Sequence, residues 1–423
     1  MKQIILKYNT QFFFFFLIGI SFLPVLPTGV ESTLMFSGLL LSFFYFIFEG
    51  KKFWNKKKTI QLVFFSSLFL IFSFSLLYTE DFKNGIKFII RLLPTLLFPL
   101  IFLFNKEDTI TKDHSRKIIN AFCFAVLLAL VYLHIVLWNK LYKSETSFWE
   151  FRQLIESRIK VHGTYLTMWV GLAVIILIYK IKNEIVVFKN YKKAFLVSLV
   201  VVYFFYWQFI IGARMPFFST IIVCLFILFN TVNKTKTAIF SFLIIAISVF
   251  LVLKNDRIGE RFKNLKNYNF SFPEGKYEDN YPNISNEQIR NGIYFCSFEN
   301  IKLEPFFGYG VGDVDAKLQS CYDETFTNTD TYKVIHYNSH NEYLNILLSS
   351  GIIGLVLFLF SKIYFLRKAA AQKNYVYISF ICYIFLNFCF ENILSRHDGV
   401  IFYSFFNSLF FFQYNNLNEK STN

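Results

Sequence analysis

The chain has 423 residues, of which 55% are hydrophobic, 21% aromatic and only 17% charged, with a formal net charge of +15. Soluble domains carry about 25% charged residues in alternation with apolar ones, so a soluble enzyme, a secreted disulfide scaffold and a disordered chain are excluded. The composition is that of a polytopic, all-α integral membrane protein.

Apolar segments recur near residues 11–27, 33–48, 60–78, 86–104, 118–138, 163–179, 194–212, 215–230, 237–253, 342–361, 375–390 and 400–414. Most are close to the ~20 residues a helix needs to cross the hydrocarbon core, which predicts about twelve transmembrane helices. Lys2 and Lys7 precede the first segment as in a secretory signal, but Pro24, Pro27 and another apolar segment follow. It therefore reads as a retained first helix. Three parts result: an N-terminal bundle of about nine helices over 1–253, a large loop with short helices over 254–340, and about three helices with a cytoplasmic tail over 341–423.

Basic residues orient the chain. With the N-terminus in the cytoplasm, the cytoplasmic segments hold 23 Lys or Arg and the short outside segments hold eight. Such an excess marks the cytoplasmic side, which turns the 254–340 loop toward the periplasm of a bacterial inner membrane. It also accounts for the net charge without nucleic acid as a partner.

The large loop has 87 residues, with ten basic and thirteen acidic side chains, and includes Phe270, Phe272, Tyr294, Phe295, Phe306 and Phe307. A loop this long and this aromatic reads as folded and functional. Residues 286–303 form an amphipathic helix pattern, ended by Glu304-Pro305 and followed by Gly308-Tyr309-Gly310-Val311-Gly312. Asp313-Val314-Asp315 has the spacing of a metal-binding pair but reads as a surface turn, and neither a metal nor a cofactor is expected. Cys296 and Cys321 share this loop and can pair in an oxidising compartment, whereas no cysteine spacing matches a zinc or redox motif.

Ser339-His340-Asn341-Glu342 closes the loop. Its S-x-x-E spacing predicts a capping box with Ser339 as N-cap, which puts His340 on the first turn of the next helix. The positive helix end there favours bound anions and a neutral imidazole, and a neutral imidazole can take a proton from a hydroxyl. An ordinary interfacial histidine fits the same spacing. Arg214 lies between two apolar segments, with Pro216 opening the next helix. Such an arginine either faces a polar cavity or partner or snorkels to the headgroups, and Arg91, inside 86–104, invites the same two readings.

His340-Asn341, with Gly351 and Gly354 behind it, resembles the signature of the bacterial O-antigen ligase and O-antigen polymerase superfamily. Arg290-Asn291-Gly292-Ile293-Tyr294 through Pro305-Phe306-Phe307-Gly308-Tyr309-Gly310 is similar to the family's Arg…aromatic…Pro-x-x-Gly-x-Gly stretch. Gly212-Ala213-Arg214 resembles its central arginine, although Ala213 stands where Ser is frequent, and His162-Gly163-Thr164-Tyr165 resembles a His-x-x-Tyr opening.

The resemblance implies a GT-C-like glycosyltransferase fold and a metal-independent, inverting transfer. The implied donor is a glycan on undecaprenyl diphosphate, and the implied acceptor is lipid A-core or another glycan. Arg214 and Arg290 would bind the diphosphate and His340 would be the catalytic base. Asn341, His162, Arg91 and Glu391 are possible supporting residues, with Glu391 and His162 next in line as base. Ligase and polymerase share this chemistry and stay open alongside a non-catalytic transporter. Reporter fusions at residues 55, 185 and 370 should report cytoplasm and fusions near 280 and 394 periplasm; a cytoplasmic signal at 280 would contradict the orientation.

Overall fold

The computed structural model describes residues 2–107, 109–142, 146–186, 190–229, 270–273, 285–327 and 329–418. The expected span over 237–253 lies outside the described residues. Every other expected segment is helical over most of its length, and no strand occurs among the described residues.

α1 (Lys2–Ser21) and α2 (Thr28–Glu49) pack against each other. The 60–78 segment is realised as two pieces, α3 (Lys56–Phe65) and α4 (Ser67–Ser75), bent by 64°. α5 (Phe82–Leu92) and α6 (Pro94–Leu103) run on as one apolar stretch of 22 residues. Pro94 opens α6 at its first position, where a missing N–H breaks no helical bond. Then come α7 (Lys112–Val136), the short α8 (Trp138–Tyr142), the polar α9 (Phe148–Ile159), α10 (Gly163–Val186), α11 (Tyr191–Ile211) and α12 (Arg214–Phe229).

The large loop contributes α13 (Asn286–Leu303), α14 (Val314–Thr325) and α15 (Asp330–Ile335). α16 (Glu342–Ala371), α17 (Tyr375–Phe388) and α18 (His397–Asn418) complete the described chain.

Six described stretches, α2, α5–α6 taken together, α7, α10, α11 and α16, are long and apolar enough to cross a membrane, or seven if the bent α3–α4 pair is one span. α12 and α17 are apolar but only 16 and 14 residues long. α10 is the central helix, packed by α11, α12 and α17 and buried along most of its length. Phenylalanine fills the space between helices: Phe406 of α18 meets the rings of Phe122, Phe380, Phe402 and Phe410. Hydrocarbon outside is as apolar as these side chains, so close packing rather than burial from water holds such helices together.

One joint organises the end of the molecule that carries the large loop. α16 breaks at Gly351, whose backbone is left-handed (φ 60°, ψ −166°). The segment after α13 docks into this break: Tyr309 N donates to Leu348 O at 2.8 Å, Gly310 N to Ser349 O at 3.0 Å, and Ile352 N to Pro305 O at 2.9 Å. Backbone groups freed by a broken helix need such partners where water is scarce. The approach is close enough that a Cβ on Gly351 would lie 2.1 Å from Phe306 O. Gly308 also has a positive φ of 67°, and its added Cβ would meet Leu348 O at 2.4 Å. The Gly-rich loop and Gly351 are thus two halves of one contact.

Asp313 ends this docked segment, and the surface-turn reading of it is wrong. Its carboxylate is buried and accepts hydrogen bonds from Glu80 N (2.7 Å), Asp81 N (2.8 Å) and Thr79 Oγ1 (3.1 Å). It satisfies amides of the α4–α5 corner, a long-range role that its local sequence does not reveal. Cys296 and Cys321 form a disulfide that joins α13 to α14.

Gly351→Ala should destabilise the protein by about 1–3 kcal/mol or more, from the left-handed backbone alone and before the clash with Phe306 is counted. A lower thermal midpoint in detergent would show this; an unchanged midpoint would contradict the joint.

Candidate functional site

Two loops meet at the N-terminal end of α16, residues 338–342 and 389–394. Asn341 joins them. Its Oδ1 accepts from Tyr343 N at 2.9 Å and Leu344 N at 3.1 Å, and its Nδ2 donates to Cys389 O at 2.9 Å. Two further links run in parallel: the buried Ser339 hydroxyl bonds the Asn392 side chain, and the buried Glu342 carboxylate accepts from Leu394 N at 2.8 Å.

These contacts correct the capping-box expectation. Asn341, not Ser339, is the N-cap of α16, because the groups that would have closed the box are engaged by the facing loop. His340 accordingly precedes the cap instead of standing on the first turn. Its backbone is left-handed (φ 45°), and its N–H donates to Asn338 Oδ1 at 3.0 Å. Non-glycine residues in that region are uncommon and concentrate at functional sites.

Held this way, His340 Nδ1 lies 3.3 Å from Glu391 Oε2, and Glu391 Oε1 lies 3.5 Å from Arg290 Nη2. The three side chains are 21%, 25% and 36% exposed, so solutes can reach all of them. Arg290 comes from α13, whose start is fixed by a capping box between Ser285 and Gln288. Arg214 stands at the start of α12, just after Gly212 ends α11 in a left-handed cap. Its Nη2 is 3.6 Å from Glu287 Oε1. Glu287 and Arg290 are three residues apart on α13 and so share a face.

The structure therefore brings His340, Asn341, Glu391 and Arg290 into one network, and adds Arg214 through Glu287 of the same helix. His162 is near: it acts electrostatically on Glu391, while its Nε2 is 3.8 Å from Glu156 Oε1. Glu156 in turn accepts from Gly163 N at 2.8 Å and Arg152 Nε at 3.0 Å. Arg91 is not part of the network; it lies over the Phe88 ring on α5 and interacts with Asp315. Glu287 escaped the sequence reading, although its spacing from Arg290 was a usable signal. Ser339, Glu342 and Asn392 are assigned their roles by contacts that span about fifty residues, which no local pattern reveals. Among the described residues, no three His, Cys, Asp or Glu side chains converge as a metal site.

Burial would raise the Glu391 carboxyl, but the hydrogen bond and charge of His340, with the charges of Arg290 and His162, hold it below the ordinary 4.5. Burial pushes His162 below its ordinary 6.5, assisted by Arg152 and Arg396 and opposed by Glu156. At neutral pH the site thus carries an ionised Glu391 and a neutral His162. An ionised carboxylate facing Nδ1 favours the tautomer with its hydrogen on Nδ1, which turns the other ring nitrogen of His340 away from Glu391. The arrangement sets an imidazole against a carboxylate, with two planar cations nearby of a kind suited to phosphate oxygens.

Residues 199–359 match the family model described as O-antigen ligase. Over these residues the chain is similar to an O-antigen ligase domain. The matched residues of this domain include Arg214, Arg290, His340 and Asn341, and the docked Gly-rich segment with Gly351. Glu391, His162 and Arg91 fall outside them, so the carboxylate facing His340 reaches the matched region from the chain's last described third. With its apolar spans, the chain is a multi-pass membrane protein. No curated protein matches it.

Glu391→Gln tests the network through pH. A carboxyl with a depressed folded value stabilises above its unfolded value, and that contribution is lost as pH falls through the folded one. The wild-type advantage in thermal midpoint should be full at pH 7, persist to 4.5 and shrink only below it. An advantage that vanishes by pH 6, or is absent at pH 7, would contradict the assignment.

Proposed function

We propose that the protein is an inverting, metal-independent glycosyltransferase of the ligase type, spanning the bacterial inner membrane with about twelve GT-C-like helices. Its donor is a glycan on undecaprenyl diphosphate and its acceptor a surface glycolipid such as lipid A-core. The observation that carries the reading is His340 hydrogen-bonded to Glu391, with Arg290 on the same carboxylate and Arg214 facing the same helix. The O-antigen ligase description of the matched domain favours ligase over a polymerase acting on two lipid-linked repeats. The Cys296–Cys321 disulfide supports a periplasmic site, since disulfides persist in oxidising compartments.

The chemistry follows from the charges. Arg214 and Arg290 exchange their carboxylate partners, held at 3.6 and 3.5 Å, for the donor's diphosphate. Guanidinium binds phosphate oxygens bidentately and stays charged. His340 Nε2 takes the proton of an acceptor hydroxyl as its oxygen attacks the anomeric carbon. The bond from that carbon to the phosphate oxygen breaks, and its electron pair leaves with undecaprenyl diphosphate between the arginines. Attack opposite the leaving group inverts the anomeric centre. Glu391 keeps the imidazole turned and stabilises the imidazolium as it forms.

With purified protein in EDTA, transfer should proceed at the rate seen without chelator. His340→Ala should lower it by about 10²–10⁴-fold, and His340→Gln, which hydrogen-bonds but takes no proton, should fall equally. Normal transfer in the Gln variant would make His340 a positioning residue; loss of transfer in EDTA, restored by magnesium, would remove the arginine clamp.

A further inference from the structure

α5 carries Lys83, Lys87 and Arg91 at intervals of four residues, which lines them along one helix face. All three are exposed. They extend over about 12 Å of helix at 1.5 Å per residue. Because α5 runs into α6 as a single apolar span, Phe82–Leu103, the stripe starts at the outer end and descends along a membrane helix. Cations in that position are costly against hydrocarbon and mark a cavity or a charged ligand.

The surroundings leave the stripe unneutralised. None of the three makes a salt bridge among the described residues. Asp81 is engaged as the N-cap of α5, accepting from Asn84 N at 2.9 Å, and Asp315 reaches Arg91 only electrostatically. Arg214 and Arg290, by contrast, each have a carboxylate partner.

Position and shape narrow the ligand. The start of α5 is tied to Asp313, and α5 packs against the turn Ile393–Ser395, just beyond Glu391. The stripe is therefore at the same end of the molecule as His340. Beside it on the same helix, Phe82, Ile86 and Ile90 are exposed, so a cationic row adjoins an apolar row. That surface complements a lipid whose headgroup bears phosphate and whose acyl chains lie in the outer leaflet.

We propose that Lys83, Lys87 and Arg91 bind the phosphate groups of the acceptor glycolipid, at a station separate from the arginines that hold the donor. The proposal rests on the transfer reading, since it requires a lipid acceptor. Each lysine near an anionic headgroup contributes about fivefold in affinity, so losing two costs about twenty-fivefold.

The test uses full-length protein in phosphatidylcholine nanodiscs, with bisphosphorylated lipid A, its dephosphorylated form and phosphatidylglycerol as probes and native mass spectrometry as readout. Wild-type protein should bind the bisphosphorylated probe at least tenfold more tightly than the dephosphorylated one. Lys83→Gln/Lys87→Gln should lose about twenty-fivefold for the first and little for the second. Equal binding of the two forms, an unaffected variant, or equally good displacement by phosphatidylglycerol would overturn the proposal. Binding needs no turnover, so the two readings fail separately. Normal transfer by His340→Ala with phosphate-dependent binding intact would sink the transfer reading and leave the site standing.

Discussion

Everything at the candidate site depends on how the 338–342 loop is tied to the 389–394 loop. Asn341 uses its carbonyl oxygen to cap α16 and its amide nitrogen to hold Cys389 O, so one side chain sets both the helix start and the distance across to Glu391. Ser339–Asn392 and Glu342–Leu394 lock the same seam from either side. These are buried hydrogen bonds, and a buried partner left unsatisfied costs about 1–3 kcal/mol. The strained backbone of His340 persists because its neighbours on both sides are held.

The second constraint is the break in α16. A continuous helix through Gly351 would leave no seat for the segment Pro305–Gly312, and that segment connects α13, with Arg290 and Glu287, to Asp313 at the α4–α5 corner. The break therefore couples the helix behind His340 to the helix that presents the arginine, while the Cys296–Cys321 disulfide restrains α13 from its other side. The His340 imidazole, the Glu391 carboxylate and the facing arginine come from separate elements that these two joints help to bring together.

Much of this was legible in the residues alone. The apolar blocks marked the helices, and the amphipathic pattern over 286–303 coincides with α13, Asn286–Leu303. Arg290, His340 and Asn341, read as separate oddities or by resemblance, lie in one network. The capping residue was not legible, because Ser339 and Asn341 are both good N-caps and S-x-x-E fits the first. The choice is made by Cys389 and Leu394, about fifty residues away. Asp313 failed for the same reason: its partners, Glu80 and Asp81, belong to a distant corner. Length and apolarity alone pass six described spans, or seven with the bent α3–α4 pair; 237–253 lies outside the described residues, and α12 and α17 are apolar but short. Packing by neighbouring helices permits this, and apolar run length does not encode it.

The central claim is that both arginines exchange carboxylate partners for the donor's diphosphate while Glu391 keeps His340 in place. An experimental structure of the protein with a non-transferable undecaprenyl-diphosphate sugar bound tests it most directly. The account predicts the diphosphate between Arg214 and Arg290, their contacts to Glu287 and Glu391 opened, and the His340 Nδ1–Glu391 bond retained. A diphosphate bound away from both arginines, or a His340 turned off Glu391 with donor in place, would contradict it.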